Sequence, residues 1–291
     1  MRRNSCLLLT LALAFGACSS APNRIVIGSK NFTEQVLLGE LLAQAIERKS
    51  ELSVDRRLNL GGTLICHEAL AAGQLDVYVE YTGTALTAIL KQPVVADPAQ
   101  VYDMVRSTYR DRFKVEWTEP LGFNNTFAIV IRRADAEKFK LRTITDSAPY
   151  TKNWTAGFGY EFVEREDGYT GLVKAYNLQF PAPPRVMDLG LTYQALANNQ
   201  VDFIAGNSTD GLIDSLNLVV LDDDKRYFPP YDAVPLVRLE VLEQHPELRE
   251  ILRSLGGKID EEEMRRLNFL VDGEHRDVKD VVREFLDERG L

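Results

Sequence analysis

Lys30 stands in the stretch GSKNFTEQ (Gly28–Gln35), between a short apolar run and an amphipathic one. That layout predicts a strand-to-helix turn. A lysine ahead of a helix start sits where exposed backbone N–H groups and the helix dipole favour an anion, although a solvated loop lysine would look the same. Glu161 and Arg165 in EFVERED are spaced i,i+4 on an expected helix. Such a pair is either a surface ion pair worth about 0.2–0.5 kcal/mol or a glutamate steadying a guanidinium for a carboxylate ligand. Tyr81 closes VEYTG, Phe127 starts the NNTFA strand and Tyr231 lies in FPPYD. Each ring taken singly reads as packing before it reads as ligand contact.

Groups for bond-making chemistry are sparse. His67, His245 and His275 show neither HxH nor HExxH spacing, which argues against zinc. There is no G-x-S-x-G elbow and no G-x-x-x-x-G-K-[ST] loop. Cys66, between Ile65 and His67, reads as a buried structural thiol. The acidic runs LDDDK and DEEEM read as solvated faces or helix starts. An enzyme is the minority reading, with Glu161 the one candidate base.

The elements that must position these groups alternate in α/β fashion. IVIGS (Ile25–Ser29) is an expected strand, and from Thr33 the positions Val36, Leu37, Leu41, Ala45 and Ile46 recur at helical spacing. LNLGGTLICHEALAAGQLDVYVEYTG reads as strand, glycine turn, helix, Gly73 stop and strand, with TGTAL opening another helix. NNTFAIVIRR is a long expected strand leading into a second lobe, TITDSAP a capped helix start, TAGFGYEFVERE a strand running into a helix, and FPPYD a proline-stiffened return. The last sixty residues or so are helical in pattern. One internal echo stands out: EALAAGQLDVYVEYTGT (Glu68–Thr84) aligns without gaps on QALANNQVDFIAGNSTD (Gln194–Asp210), 126 residues later. Two similar lobes would each offer the same loop, at a strand's carboxyl end, to a shared cleft, where open α/β sheets bind ligands.

The formal charge is -9 over 291 residues, which argues against a nucleic-acid surface. Arg2 and Arg3, the apolar run Cys6–Phe15 and FGAC ending at Cys18 have the layout of a secretory signal. Small residues before Cys18 resemble a bacterial lipoprotein signal. Residues 1–17 are then removed, Cys18 is lipidated and 18–23 form a tether. Cys66 is left alone, so no internal disulfide is expected. The remainder suffices for two domains of ordinary size.

GSKNFTEQ, YVEYTGTAL, GFNNTFAI, EFVEREDG, NSTDG, FPPYDAVP and GKIDEEEMRRLNFLVDG, in that order from about residue 24 to 285, together resemble the osmoprotectant (glycine betaine/choline) binding proteins of ABC importers. The resemblance implies an α/β, two-lobed periplasmic-binding-protein fold of type II with a ligand cleft between the lobes. Lobe I would comprise 24–122 plus 231–291 and lobe II 123–230, closing like a hinge. It implies no catalysis, no cofactor and no metal. The expected product is a monomeric, lipid-anchored protein of the periplasm or cell surface that serves ABC permease subunits.

By the same resemblance Lys30 and Arg165 hold a ligand carboxylate, with Thr84 as hydroxyl donor and Glu161 steadying the arginine. Tyr81, Phe127 and Tyr231 cage a trimethylammonium head, with the Asn125 backbone nearby. Asn207 stands where the family pattern YSTDG has tyrosine, and the internal echo pairs Asn207 with Tyr81. A trimethylammonium cation has no N–H, so aromatic faces must hold it. The Lys/Arg pair favours a betaine-like zwitterion over choline. Asn207 implies either weakened glycine betaine binding or a bulkier ligand, such as carnitine or a ring-bearing betaine. A receptor for another zwitterion, a non-transporting sensor and a lipid-anchored enzyme on the same fold are the alternatives.

Overall fold

The computed structural model describes residues 23–291; the expected signal segment and Cys18 lie outside them. Ten strands form two five-stranded sheets. The first has the order β2-β1-β3-β10-β4, from Ser53–Gly61, Arg24–Lys30, Val77–Tyr81, Ala233–Arg238 and Val115–Trp117. The second has the order β7-β6-β8-β5-β9, from Arg185–Val186, Ala156–Phe158, Phe203–Asn207, Phe127–Arg132 and Leu218–Leu221. In each sheet the first three strands are parallel, and the strand brought in from the other half of the chain is antiparallel to both its neighbours.

The internal echo is thus structural. The helix Thr63–Ala71 leads to β3 as the helix Leu189–Ala197 leads to β8. Between helix and strand the chain turns through the left-handed region, at Gly73 (φ +73) and at Asn199 (φ +58). Glycine and asparagine tolerate that region best. Asp76 and Asp202, one before each strand, accept from backbone N–H of Val26 and Thr155 at 2.8 Å each. Both also pair with an arginine at the end of the antiparallel strand, Arg238 and Arg132. Gly28 in β1 lies under Leu75 and Gly157 in β6 under Val201; a Cβ at either would collide with the buried side chain above it.

The helix Thr33–Lys49 buries Leu37, Leu38, Leu41, Leu42, Ala45 and Ile46. That apolar stripe lies against β1 and β2 and against three helices from the end of the chain, Glu247–Arg253, Glu261–Asp272 and Val278–Arg289. Two crossovers join the sheets, from β4 to β5 and from β9 to β10, and they run side by side. Asn125 N–H donates to Tyr231 C=O at 3.0 Å, Ala233 N–H to Phe123 C=O at 3.2 Å, and Asn124 bridges Asp232.

Two elements differ from expectation. The long strand expected for NNTFAIVIRR begins only at Phe127, because Asn124 and Asn125 are bonded to the other crossover. It ends at Arg132, whose guanidinium is held by Asp135 and Asp202 while Arg133 opens a helix. The helix expected across EFVERED stops at Glu164, leaving Arg165 extended (φ -78, ψ 141).

Gly157→Ala places its Cβ 2.9 Å from Val201 Cγ1, a β-branched side chain with no exposure. The overpacking should cost about 1–3 kcal/mol, which thermal melts would read as a Tm drop of roughly 2–4 °C per kcal/mol. An unchanged Tm would show that the strand can back away.

Candidate functional site

Between the sheets lies a cleft of about 460 Å³, within the roughly 300–1,000 Å³ usual for small-molecule sites. It is bordered by the carboxyl ends of β1, β3, β6 and β8 and by both crossovers. Lys30, Tyr81, Thr84, Asn125, Phe127, Glu161, Arg165, Asn207 and Tyr231 all border it, although they come from both halves of the chain. Gly83 is part of the reason. A Cβ there would lie 2.6 Å from Pro230 C=O, so only glycine lets YTGT press against FPPYD and bring Tyr81 and Tyr231 to one wall.

The cations do not stand free. Lys30 is buried at the end of β1, with Nζ 2.5 Å from the equally buried Glu80. Glu80 also accepts from the Tyr78 hydroxyl at 3.1 Å and from Tyr81 N–H at 2.7 Å. Arg165 gives Nε and Nη2 to Asp167 at 2.8 and 2.6 Å, and Nη2 reaches the Thr87 hydroxyl at 3.1 Å. Its Nη1 lies 3.4 Å from both Thr84 Oγ1 and Glu161 Oε1. Burial pulls the Asp167 carboxyl up, but the bonded Arg165 guanidinium and the Thr87 hydroxyl outweigh it and hold the group below the usual range. Glu161 accepts from the Thr63 hydroxyl at 2.6 Å. Burial raises it too, yet the charges of Lys30 and Arg165, with Thr63, bring it below its ordinary value.

Aromatic faces gather beside these charges. Lys30 Nζ sits 5.0 Å from the Tyr81 ring centre, and the Arg165 guanidinium 5.2 Å from that of Phe127. Phe127 meets Tyr231 edge-on at 5.5 Å and Phe162 at 4.9 Å. Phe32 stacks on Tyr81 at 6.4 Å with an interplanar angle of 20° and also borders the cleft.

Sequence reasoning missed Glu80, Asp167, Phe32 and Glu34. Each had a local signal. Glu80 is a charge inside an apolar strand, Asp167 lies two residues past Arg165, and Phe32 and Glu34 belong to GSKNFTEQ itself. Glu34 is buried in the first turn of its helix and accepts four hydrogen bonds. Tyr81 hydroxyl and Asn125 Nδ2 donate at 2.6 and 2.7 Å, Thr209 hydroxyl and Asn268 Nδ2 at 2.5 and 3.1 Å. Desolvation outweighs these bonds and raises the Glu34 carboxyl.

Asn207 ends β8 opposite Phe127, with its backbone N–H on the Tyr193 hydroxyl at 3.0 Å. The residue borders both the main cleft and a smaller cavity of about 160 Å³, also lined by Glu34, Asp188, Asp210 and Asp272. Burial pushes Asp210 up to about 7, helped by the charges of Asp272 and Glu34. Among the described residues no group of three His, Cys, Asp or Glu side chains could hold a metal ion, and no helix is long and apolar enough to cross a membrane. Cys66 is buried, and desolvation pushes its thiol up to about 12, a structural thiol rather than a nucleophile.

The family model for the substrate-binding domain of the ABC-type glycine betaine transport system matches residues 23–288. The chain is 38% identical to the carnitine transport binding protein OpuCC of Listeria monocytogenes, over 98% of this chain and 94% of that one. It is 36% identical to the ergothioneine transport permease/ergothioneine binding protein EgtU of Helicobacter pylori, over 92% of this chain and 48% of that protein. Among solved structures, one described as a glycine betaine/carnitine/choline ABC transporter superposes with a TM-score of 0.77 at 34% identity, over 91% of this chain and 98% of that one.

Two predictions follow from the carboxylates beside Asn207. A carboxyl whose folded pKa is raised binds its proton in the native state before the unfolded chain does, so stability falls as pH rises between its unfolded value near 3.8 and its folded value of about 7. Melts of the wild type and of Asp210→Asn at pH 5.5 and 7.5 isolate this group from the opposing His67, whose neutral form burial favours. Asparagine keeps the acceptor for Leu212 N–H, so the variant should gain on the wild type at pH 7.5 by several degrees and keep only roughly half of that gain at 5.5. Glu34→Gln should cost about 1–3 kcal/mol, because one amide oxygen cannot serve four donors; an unchanged denaturant midpoint would refute it.

Proposed function

Because the chain belongs to the family of substrate-binding domains of ABC-type glycine betaine transport systems, we propose that it captures a betaine-like quaternary ammonium zwitterion outside the cytoplasm and delivers it to ABC permease subunits. Members of the family are extracytoplasmic transport binding proteins, not enzymes, and the fold is that of type II periplasmic binding proteins. In this reading residues 24–122 with 231–291 and residues 123–230 are the lobes that close on the ligand. Cys18 carries a lipid anchor that holds the monomer at the membrane, in the periplasm or at the cell surface.

One observation carries the ligand class: three aromatic rings and two cations, from both halves of the chain, converge on a single cleft. Tyr81, Phe127 and Tyr231 offer faces to a trimethylammonium head that cannot be hydrogen-bonded. At about 0.5–2 kcal/mol each they supply roughly 2–6 kcal/mol, whereas micromolar affinity needs about 8. The remainder falls to burial and to a carboxylate contact. Asp167 occupies the Nε/Nη2 edge of Arg165, so its Nη1 edge, beside Thr84, is the one left for that contact.

Calorimetric titration of the purified full-length protein with glycine betaine, choline, carnitine and a histidine betaine tests the reading. A carboxylate-bearing betaine should bind with a micromolar or lower Kd, weakened at least tenfold by Arg165→Ala; silence from all four refutes it. In Asn207→Tyr a restored fourth face should tighten glycine betaine by about 0.5–2 kcal/mol if that is the native ligand, and abolish the native ligand if that ligand is bulkier. No change for any ligand would remove Asn207 from the cage.

A further inference from the structure

The role that i,i+4 spacing suggests for Glu161 is filled by its neighbour. Asp167 holds Arg165 through two short hydrogen bonds, while Glu161 lies 3.4 Å from the same guanidinium. Exposure then separates the ionic side chains of this wall. Glu80 is 0% exposed, Lys30 3%, Arg165 7% and Asp167 14%, but Glu161 is 37% exposed. The most exposed ionic side chain of this wall is therefore a carboxylate, beside the Nη1 edge of Arg165.

The charge inventory points the same way. Lys30 and Arg165 stand against Glu80, Asp167 and Glu161, two cations to three carboxylates. The exposed Lys91, Glu164 and Asp188 also line the cleft, so the balance stays negative. A carboxylate has about four acceptor sites. Glu161 uses Oε1 for the Thr63 hydroxyl and Arg165, whereas Oε2 takes only Thr63 N–H at 3.4 Å. Acceptor capacity is left over beside the cleft.

We propose that Glu161 receives an N–H or O–H donor of the ligand, so that the cleft prefers quaternary ammonium zwitterions carrying such a donor near their carboxylate. The inference rests on the quaternary ammonium reading of the cleft. A plain betaine offers trimethylammonium and carboxylate but nothing that donates. When the cleft closes over it, an ionised oxygen loses water and gains no partner, which penalises that ligand.

Matched ligands test this on the full-length protein. Carnitine and γ-butyrobetaine differ by one hydroxyl; histidine betaine and its ring-N-methylated form differ by one N–H. Titration of both pairs, with glycine betaine as reference, should show the donor-bearing member of at least one pair binding about tenfold to a hundredfold more tightly. Glu161→Gln should bring that ratio toward one. Equal affinities within both pairs, while a quaternary ammonium ligand still binds, overturn the donor inference alone; so does a ratio that survives Glu161→Gln. No binding by any of the five overturns the parent reading and this one together.

Discussion

The buried carboxylate of Glu34 is where the distant parts of this chain meet. Its four donors come from the end of β3, the first crossover, the loop after β8 and the helix Glu261–Asp272. None is a cation, so hydrogen bonds alone offset the cost of desolvation, and only in part, which leaves the network dependent on every member. The geometry of the cleft follows from it. The bond to Glu34 fixes where the Tyr81 ring points, and burial followed by the Glu34 charge raises the Tyr81 hydroxyl far above its usual range, so it remains a donor. The same oxygen anchors Asn125 beside Phe127, and the other joins the loop after β8 to the helices Thr33–Lys49 and Glu261–Asp272.

A second constraint governs the rings. A cation on one face of an aromatic ring opposes a ligand cation on the other, and two rings of the cleft carry such a neighbour: Lys30 at Tyr81 and Arg165 at Phe127. In both cases a carboxylate lies behind the cation, Glu80 and Asp167 respectively. Each ring, cation and carboxylate forms a unit whose net charge is zero, so a trimethylammonium head can approach the ring without facing an uncompensated positive charge. Removing either carboxylate would strand a buried cation, which is costly in itself and doubly so beside a cationic ligand. Both basic residues are thereby held in place before any ligand arrives, which reduces the entropy lost on binding.

Much of the architecture was legible in the sequence because it is local or repeated. Apolar periodicity marked the helix from Thr33, and the repeat of EALAAGQLDV in QALANNQVDF marked the equivalence of β3 and β8 down to the turn residues Gly73 and Asn199. Motif order placed the candidate residues. What stayed hidden is pairing. Lys30 finds its partner fifty residues on, and Glu34 finds Thr209 and Asn268 at separations of 175 and 234 residues. No period or cap announces such contacts. Glu34 in a first turn reads as a complement to the helix dipole, a sufficient local account that conceals its burial. The spacing of Glu161 and Arg165 announced their contact, which forms at 3.4 Å, but not that the helix stops at Glu164 and that the extended Arg165 also gives two shorter bonds to Asp167.

Asn207 shows how the two halves of the site diverge on one scaffold. It holds the position in β8 that Tyr81 holds in β3, and both end their strands at the cleft. On the Tyr81 side the wall is a π face with a matched ion pair behind it. On the Asn207 side the position itself carries no ring, and Asn207 and Phe32 border both the cleft and a smaller cavity lined by Glu34, Asp188, Asp210 and Asp272. A cation there would meet no aromatic face from residue 207, and burial raises the neighbouring Glu34, Asp210 and Asp272 carboxyls toward their neutral forms. Selectivity in the proposed reading would then come from groups that meet the remainder of the ligand, and the partly exposed Glu161, which follows β6 next to β8, borders the same cleft.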